Sequence, residues 1–101
     1  MGTHQDVEER SLAMARAIVA RIDADPERAG LARAKAVLAR WLHVHPNPAL
    51  HEWEQILERP WPEIREVLLD PGEEGRRLRQ NDPFCGILTP RERWEFYRAS
   101  A

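Results

Sequence analysis

His43, His45 and His51, with Glu52 and Cys85, are the side chains of this sequence whose types suit a transition metal. Their spacing fits no ligand motif with a mechanical basis. His43 and His45 stand two positions apart and do not share a helical face. As helix-end residues they sit well against a negative dipole end. Cys85 would act as a nucleophile only with a lowered pKa and a positioned base, and no pattern around it supplies either. It reads instead as a small buried or interface thiol. Ser11 falls inside a helical pattern and Ser100 at the frayed end, neither beside a Gly-rich elbow or phosphate loop. No catalytic residue, metal ligand or cofactor is therefore assigned, and a non-enzymatic protein is expected.

Binding chemistry is better represented. Near the end of the chain, Phe84, Ile87, Leu88, Trp94, Phe96 and Tyr97 are set among charges around a turn bearing Pro83 and Gly86. Aromatic and Arg anchors in a polar frame are what protein interfaces use. Arg76, Arg77, Arg79, Arg91, Arg93 and Arg98 enrich this end in a planar fork that matches carboxylates and phosphates. Glu73, Glu74, Asp82, Glu92 and Glu95 dilute that charge, so an acidic protein surface fits as well as nucleic acid. The expected partner-binding residues are Arg79, Phe84, Ile87, Leu88, Arg91, Arg93, Trp94 and Tyr97, within a candidate segment 79–101. Trp94 and Phe96 cannot share a helical face, so one of them points outward. The plainer alternative, a tail folded back on its own core, stays open.

The elements that must position these residues are helical. Asp6 and Glu9 form a D-x-x-E start, and Leu12, Ala15, Ile18, Val19 and Ile22 recur at helical spacing to about Ala24. Asp25-Pro26 predicts a restart, with Asp25 as N-cap and Leu31, Ala34, Leu38, Trp41 and Leu42 as the apolar face. Asn47-Pro48 predicts a third helix carrying Leu50, Trp53, Ile56 and Leu57, and Pro62 a short fourth carrying Ile64, Val67 and Leu68. Asp70-Pro71-Gly72-Glu73 is a further restart with D-x-x-E capping by Asp70, weakened by Gly72 and Gly75. Thr89-Pro90-Arg91-Glu92 predicts a last helix to about Arg98, with Thr89 as N-cap, Pro90 at N1 and Glu92 at N3. No stretch alternates at period two. The fold expected is all-α: an N-terminal two-helix hairpin, several short helices, then a C-terminal hinge and helix, all in one domain over 1–101.

Composition narrows the function classes. A formal charge of −2 lacks the basic excess of a general nucleic-acid binder. Cys85 is the only cysteine, so no internal disulfide forms and a reducing compartment is the default. The polar start from Met1 to Asp6 reads as neither a secretory signal nor a myristoylation pattern. The longest apolar run, around Ala17 to Ala20, is far too short to span a membrane. A cytoplasmic protein is expected.

The run from Pro60-Trp61 through Asp70-Pro71, Arg76-Arg77-Leu78-Arg79-Gln80, Pro83-Phe84-Cys85-Gly86 and Pro90-Arg91-Glu92-Arg93-Trp94 resembles small bacterial antitoxins of the protein-neutralising, type II-like kind, over about residues 60–98. The resemblance implies an inhibitor that binds a toxin enzyme, nucleotidyltransferase-like among the candidates, and occludes its active site. The chain departs from many such proteins in lacking a recognisable ribbon-helix-helix or strand-rich DNA-binding head. The alternatives are a self-associating helical module, forming a homo-oligomer, and a helical nucleic-acid-binding protein.

Overall fold

The computed structural model describes residues 4–99, with side chains from Val7 to Ala99. Six α-helices follow one another: α1 (His4–Asp23), α2 (Ala29–Val44), α3 (Pro48–Ile56), α4 (Trp61–Leu69), α5 (Glu73–Arg79) and α6 (Pro90–Ala99). A short 3-10 turn (Cys85–Ile87) precedes α6, and the described residues form no strand. The expected all-α fold is the one observed, with two long helices followed by short ones.

The apolar stripes are buried as their spacing requires. Ala15, Ile18, Val19 and Ile22 of α1 meet Ala34 and Leu38 of α2, Leu50, Trp53 and Ile56 of α3, and Ile64 and Leu68 of α4 in one cluster. Helix α1 packs most extensively on α4, more than on its sequence neighbour α2. Trp53 lies at the centre, fully buried, with its indole Nε1–H donating to the Leu78 carbonyl at 2.8 Å. Trp61 donates to Asp23 Oδ1 at 2.7 Å and Arg65 Nε to Asp23 Oδ2 at 3.0 Å, which ties α4 to the end of α1.

Three helix starts differ from their sequence reading. Helix α1 begins at His4, so Asp6 lies within it; the Asp6 side chain is outside the described residues. Asp25 does not cap α2 directly. Its carboxylate accepts from Glu27 N and Ala29 N, spanning a turn at Pro26, and α2 starts only at Ala29. Arg28 makes that turn with a left-handed backbone (φ 49°, ψ 48°) and donates from Nη1 to the Ile22 carbonyl. Asp70 likewise closes a local turn onto Gly72 N at 2.8 Å rather than capping α5 from afar. Gly75, read as a weak point, is a packing requirement. A Cβ there would lie 2.2 Å from the Asp70 carbonyl oxygen, so only glycine lets α5 approach the end of α4.

Two starts match their reading in full. Asn47 Oδ1 accepts from Leu50 N at 3.1 Å with Pro48 opening α3. Thr89 and Glu92 exchange the reciprocal pair of a capping box: Glu92 N to Thr89 Oγ1 at 3.1 Å, and Thr89 N to Glu92 Oε1 at 2.9 Å.

Candidate partner-binding face

The chain between α5 and α6 folds inward before α6 begins. Asp82 Oδ1 accepts from Phe84 N at 2.9 Å, which closes a tight turn around the buried Pro83. That turn drives Phe84 against Trp53, and the following 3-10 turn brings Ile87 and Leu88 onto the same core. Phe84, Ile87 and Leu88, expected as partner anchors, therefore present almost no surface in this fold. Apolar side chains of this size gain more from a packed interior than from solvent.

Arg79 is also buried, at 7 % exposure. Its Nε donates to Ser11 Oγ at 3.2 Å, and Nη1 donates to the Leu68 and Asp70 carbonyls. It joins α1, α4 and α5, and it is not a surface fork. Burial lowers its pKa, offset in part by Asp70 and Asp82.

Helix α6 carries the remaining anchors. Glu92, Arg93 and Phe96 turn inward, Phe96 packing against the core. Arg91 and Trp94 then lie outward, and Tyr97, one turn further on, sits at the edge of that face, where Arg10 covers its ring. Trp94 is 62 % exposed and Tyr97 46 %. Of Trp94 and Phe96, it is Trp94 that points outward. Arg93 is half-buried and donates from Nη1 to the Cys85 carbonyl at 3.2 Å. Arg10 of α1 lies over the Tyr97 ring, 4.1 Å from its centroid, and continues the face onto α1. Val7, one turn before Arg10, is half exposed.

Helix α6 is tied to α1 by an ion pair. Arg21 grips Glu92 with both amino groups and also donates from Nη1 to the Ile87 carbonyl at 3.1 Å. The Arg21 hydrogen bond, followed by that from Thr89 N, brings the Glu92 carboxyl down to about 2. Arg21 and Arg10 were not singled out in the sequence, because partners seventy or more residues away leave no local spacing signal.

No family model, curated protein or solved structure matches the chain.

The other arginines of this end are largely engaged within the chain. Arg76 pairs with Glu8, Arg77 with Glu52 and Glu74, and Arg98 with Glu95. His43, His45 and His51 are all exposed. Among the described residues no group of three or more His, Cys, Asp or Glu is placed to hold a metal ion. Cys85 is exposed, which removes the buried alternative of its sequence reading.

Beside Tyr97 lies an open groove of about 340 Å³ between α1 and the end of α5 with the turn that follows it, Trp41 of α2 and Tyr97 of α6 also lining it. Met14, Ile18 and Trp41 form its apolar side; Ser11, Arg79 and Asp82 are polar residues on it, and Cys85 also lines it. Burial pushes the Asp82 carboxyl up to about 6, despite the Phe84 N–H and the nearby Arg79.

Proposed function

We propose that this chain is a non-enzymatic protein-binding module whose partner face is α6, with Trp94 and Tyr97 as apolar anchors and Arg91 as the charged contact beside them. The exposure of two large aromatics on a capped, ion-paired helix carries this reading. Leaving Trp94 mostly in water, and Tyr97 half-exposed under Arg10, forfeits burial energy that a partner would recover. Their place on an already formed helix lowers the ordering cost of binding.

Internal pairing of Arg76, Arg77 and Arg98 favours a protein partner over nucleic acid, since these cations are already neutralised by acids of the same chain. No helix among the described residues is long and apolar enough to cross a membrane. A cytoplasmic partner is proposed from the single cysteine, which suits a reducing compartment. The finer reading, from the sequence resemblance, is an antitoxin-like inhibitor that covers the active site of a toxin enzyme, with a nucleotidyltransferase-like enzyme the first candidate.

The test is affinity capture from the native cells with the tagged chain, alongside W94A and Y97A variants checked for native helicity. A stoichiometric partner lost in both variants supports the reading, and toxicity of that partner when expressed alone supports the antitoxin form. A partner retained by both variants overturns the α6 assignment. Recovery of the chain by itself, with concentration-dependent mass, moves the assignment to a self-associating module.

A further inference from the structure

We propose that the groove between α1 and the end of α5 is a binding site for an apolar carboxylate, with Arg79 receiving the carboxylate and Met14, Ile18 and Trp41 forming the wall for the apolar body. Its volume, about 340 Å³, falls within the range of small-ligand pockets, and its lining has their character: an apolar wall with a few convergent polar groups.

The guanidinium of Arg79 points to the ligand's charge. It is buried, and its direct acceptors are one hydroxyl and two carbonyls, all neutral; the Asp70 and Asp82 carboxylates act on it without a direct bond. None of these bonds uses Nη2. Guanidinium and carboxylate frequently pair through two parallel hydrogen bonds. A carboxylate entering the groove adds an anion bonded directly to Arg79. Ser11 reinforces the site: its oxygen accepts from Arg79, leaving its hydroxyl proton to donate.

Asp82 sets the pH dependence. Ionised, it repels an incoming carboxylate; protonated, it donates a hydrogen bond to it. With its carboxyl near 6, binding strengthens as pH falls through that value. The charged and titratable groups around it are Arg10 of α1, Arg79 of α5, Cys85 of the 3-10 turn and Tyr97 of α6, with Glu8 and Arg76 acting on Arg79 from further out. Helix α2 contributes the uncharged Trp41 to the groove.

The experiment is an NMR titration of the full chain with 3-phenylpropanoate, followed at the Arg79 Nε–H and Trp41 indole N–H signals, at about pH 5 and about pH 8. The uncharged 3-phenylpropanamide is the control. Saturable shifts at both reporters with the carboxylate, about tenfold tighter in acid, and none with the amide, are expected. Asp82→Asn should make binding at the higher pH as tight as in acid and remove the pH dependence. Replacing Arg79 risks unfolding, so Asp82→Asn carries the assignment. A parallel titration with the blocked peptide Ac-Ala-Glu-Ala-NH2 distinguishes the sources. Tighter peptide binding assigns the site to an acidic side chain of a protein, and tighter phenylpropanoate binding to a free small carboxylate. Absence of a saturable shift at Arg79 with either carboxylate, or equal binding of the amide, overturns the proposal. These readouts do not depend on whether Trp94 and Tyr97 hold a partner.

Discussion

Trp53 and Phe84 meet edge to face at the centre of the molecule, ring centroids 6.0 Å apart and planes at 69°. Phe84 comes from a segment without regular length of its own, so this contact is what fastens the chain between α5 and α6 to the core. Phe84→Ala is expected to cost about 3–5 kcal/mol of folding stability. Trp94→Ala, on the exposed face, should leave stability within about 0.5 kcal/mol of the parent. Urea denaturation of the two variants checks the contrast; equal midpoints would show that Phe84 is not core.

The ion pair behind α6 makes acid sensitivity local. Glu92 is held down to about 2 by Arg21 and Thr89 N–H. A carboxyl lowered on folding adds stability above its unfolded pKa, near 4.5, and loses it as pH falls through the folded value. The α6 contacts should therefore loosen between about pH 4.5 and about pH 2, and Glu92→Gln should remove that component. Amide exchange in α6 as a function of pH reads it, and an unchanged acid profile in the variant contradicts the assignment.

Asp82 has the opposite sign. Its folded carboxyl, near 6, lies above the ordinary 3.8, so the folded state holds a proton that the unfolded state releases. Its contribution is favourable in acid and is lost as pH rises from about 4 through about 6. Asp82→Asn keeps an acceptor for Phe84 N–H and removes the buried charge. At pH above 7 it should stabilise the fold by about 1–3 kcal/mol, with little change in acid. Thermal melts across pH test this, and a destabilised variant at high pH would refute it.

Gly75→Ala is expected to destabilise by more than the usual helix-propensity gain of alanine, about 1 kcal/mol, can offset. The new methyl meets the backbone of Asp70, which has no flexible end to move aside. A midpoint at or above that of the parent would show that α5 can shift at no cost.

Much of this fold was legible locally. Asn47 with Leu50, and Thr89 with Glu92, act across three residues, and such capping leaves its mark in sequence order. The stripes through Ile18, Leu38, Trp53 and Ile64 were equally plain because burial imposes the helical period. Phe84, Ile87 and Leu88 were read as anchors because no period marks them; the turn at Asp82 that folds them inward has meaning only once the core exists. Arg79 was read as an exposed fork for the same reason, since its acceptors on α1 and α4 are distant in sequence. Of the eight expected contact residues, Arg91 and Trp94 share an exposed face with Tyr97 at its edge, and Arg93 is half-buried beside them.

Cys85 is the sole thiol of the chain and it is exposed. In air it is free to oxidise against a second molecule, joining two chains covalently and imitating a homodimer in any mass measurement. Assays of self-association therefore need a reductant or a Cys85→Ser chain. The same atom is also a ready handle: a maleimide dye would attach at one position, on the rim of the groove and on the turn that leads into α6, and would report on both without further engineering.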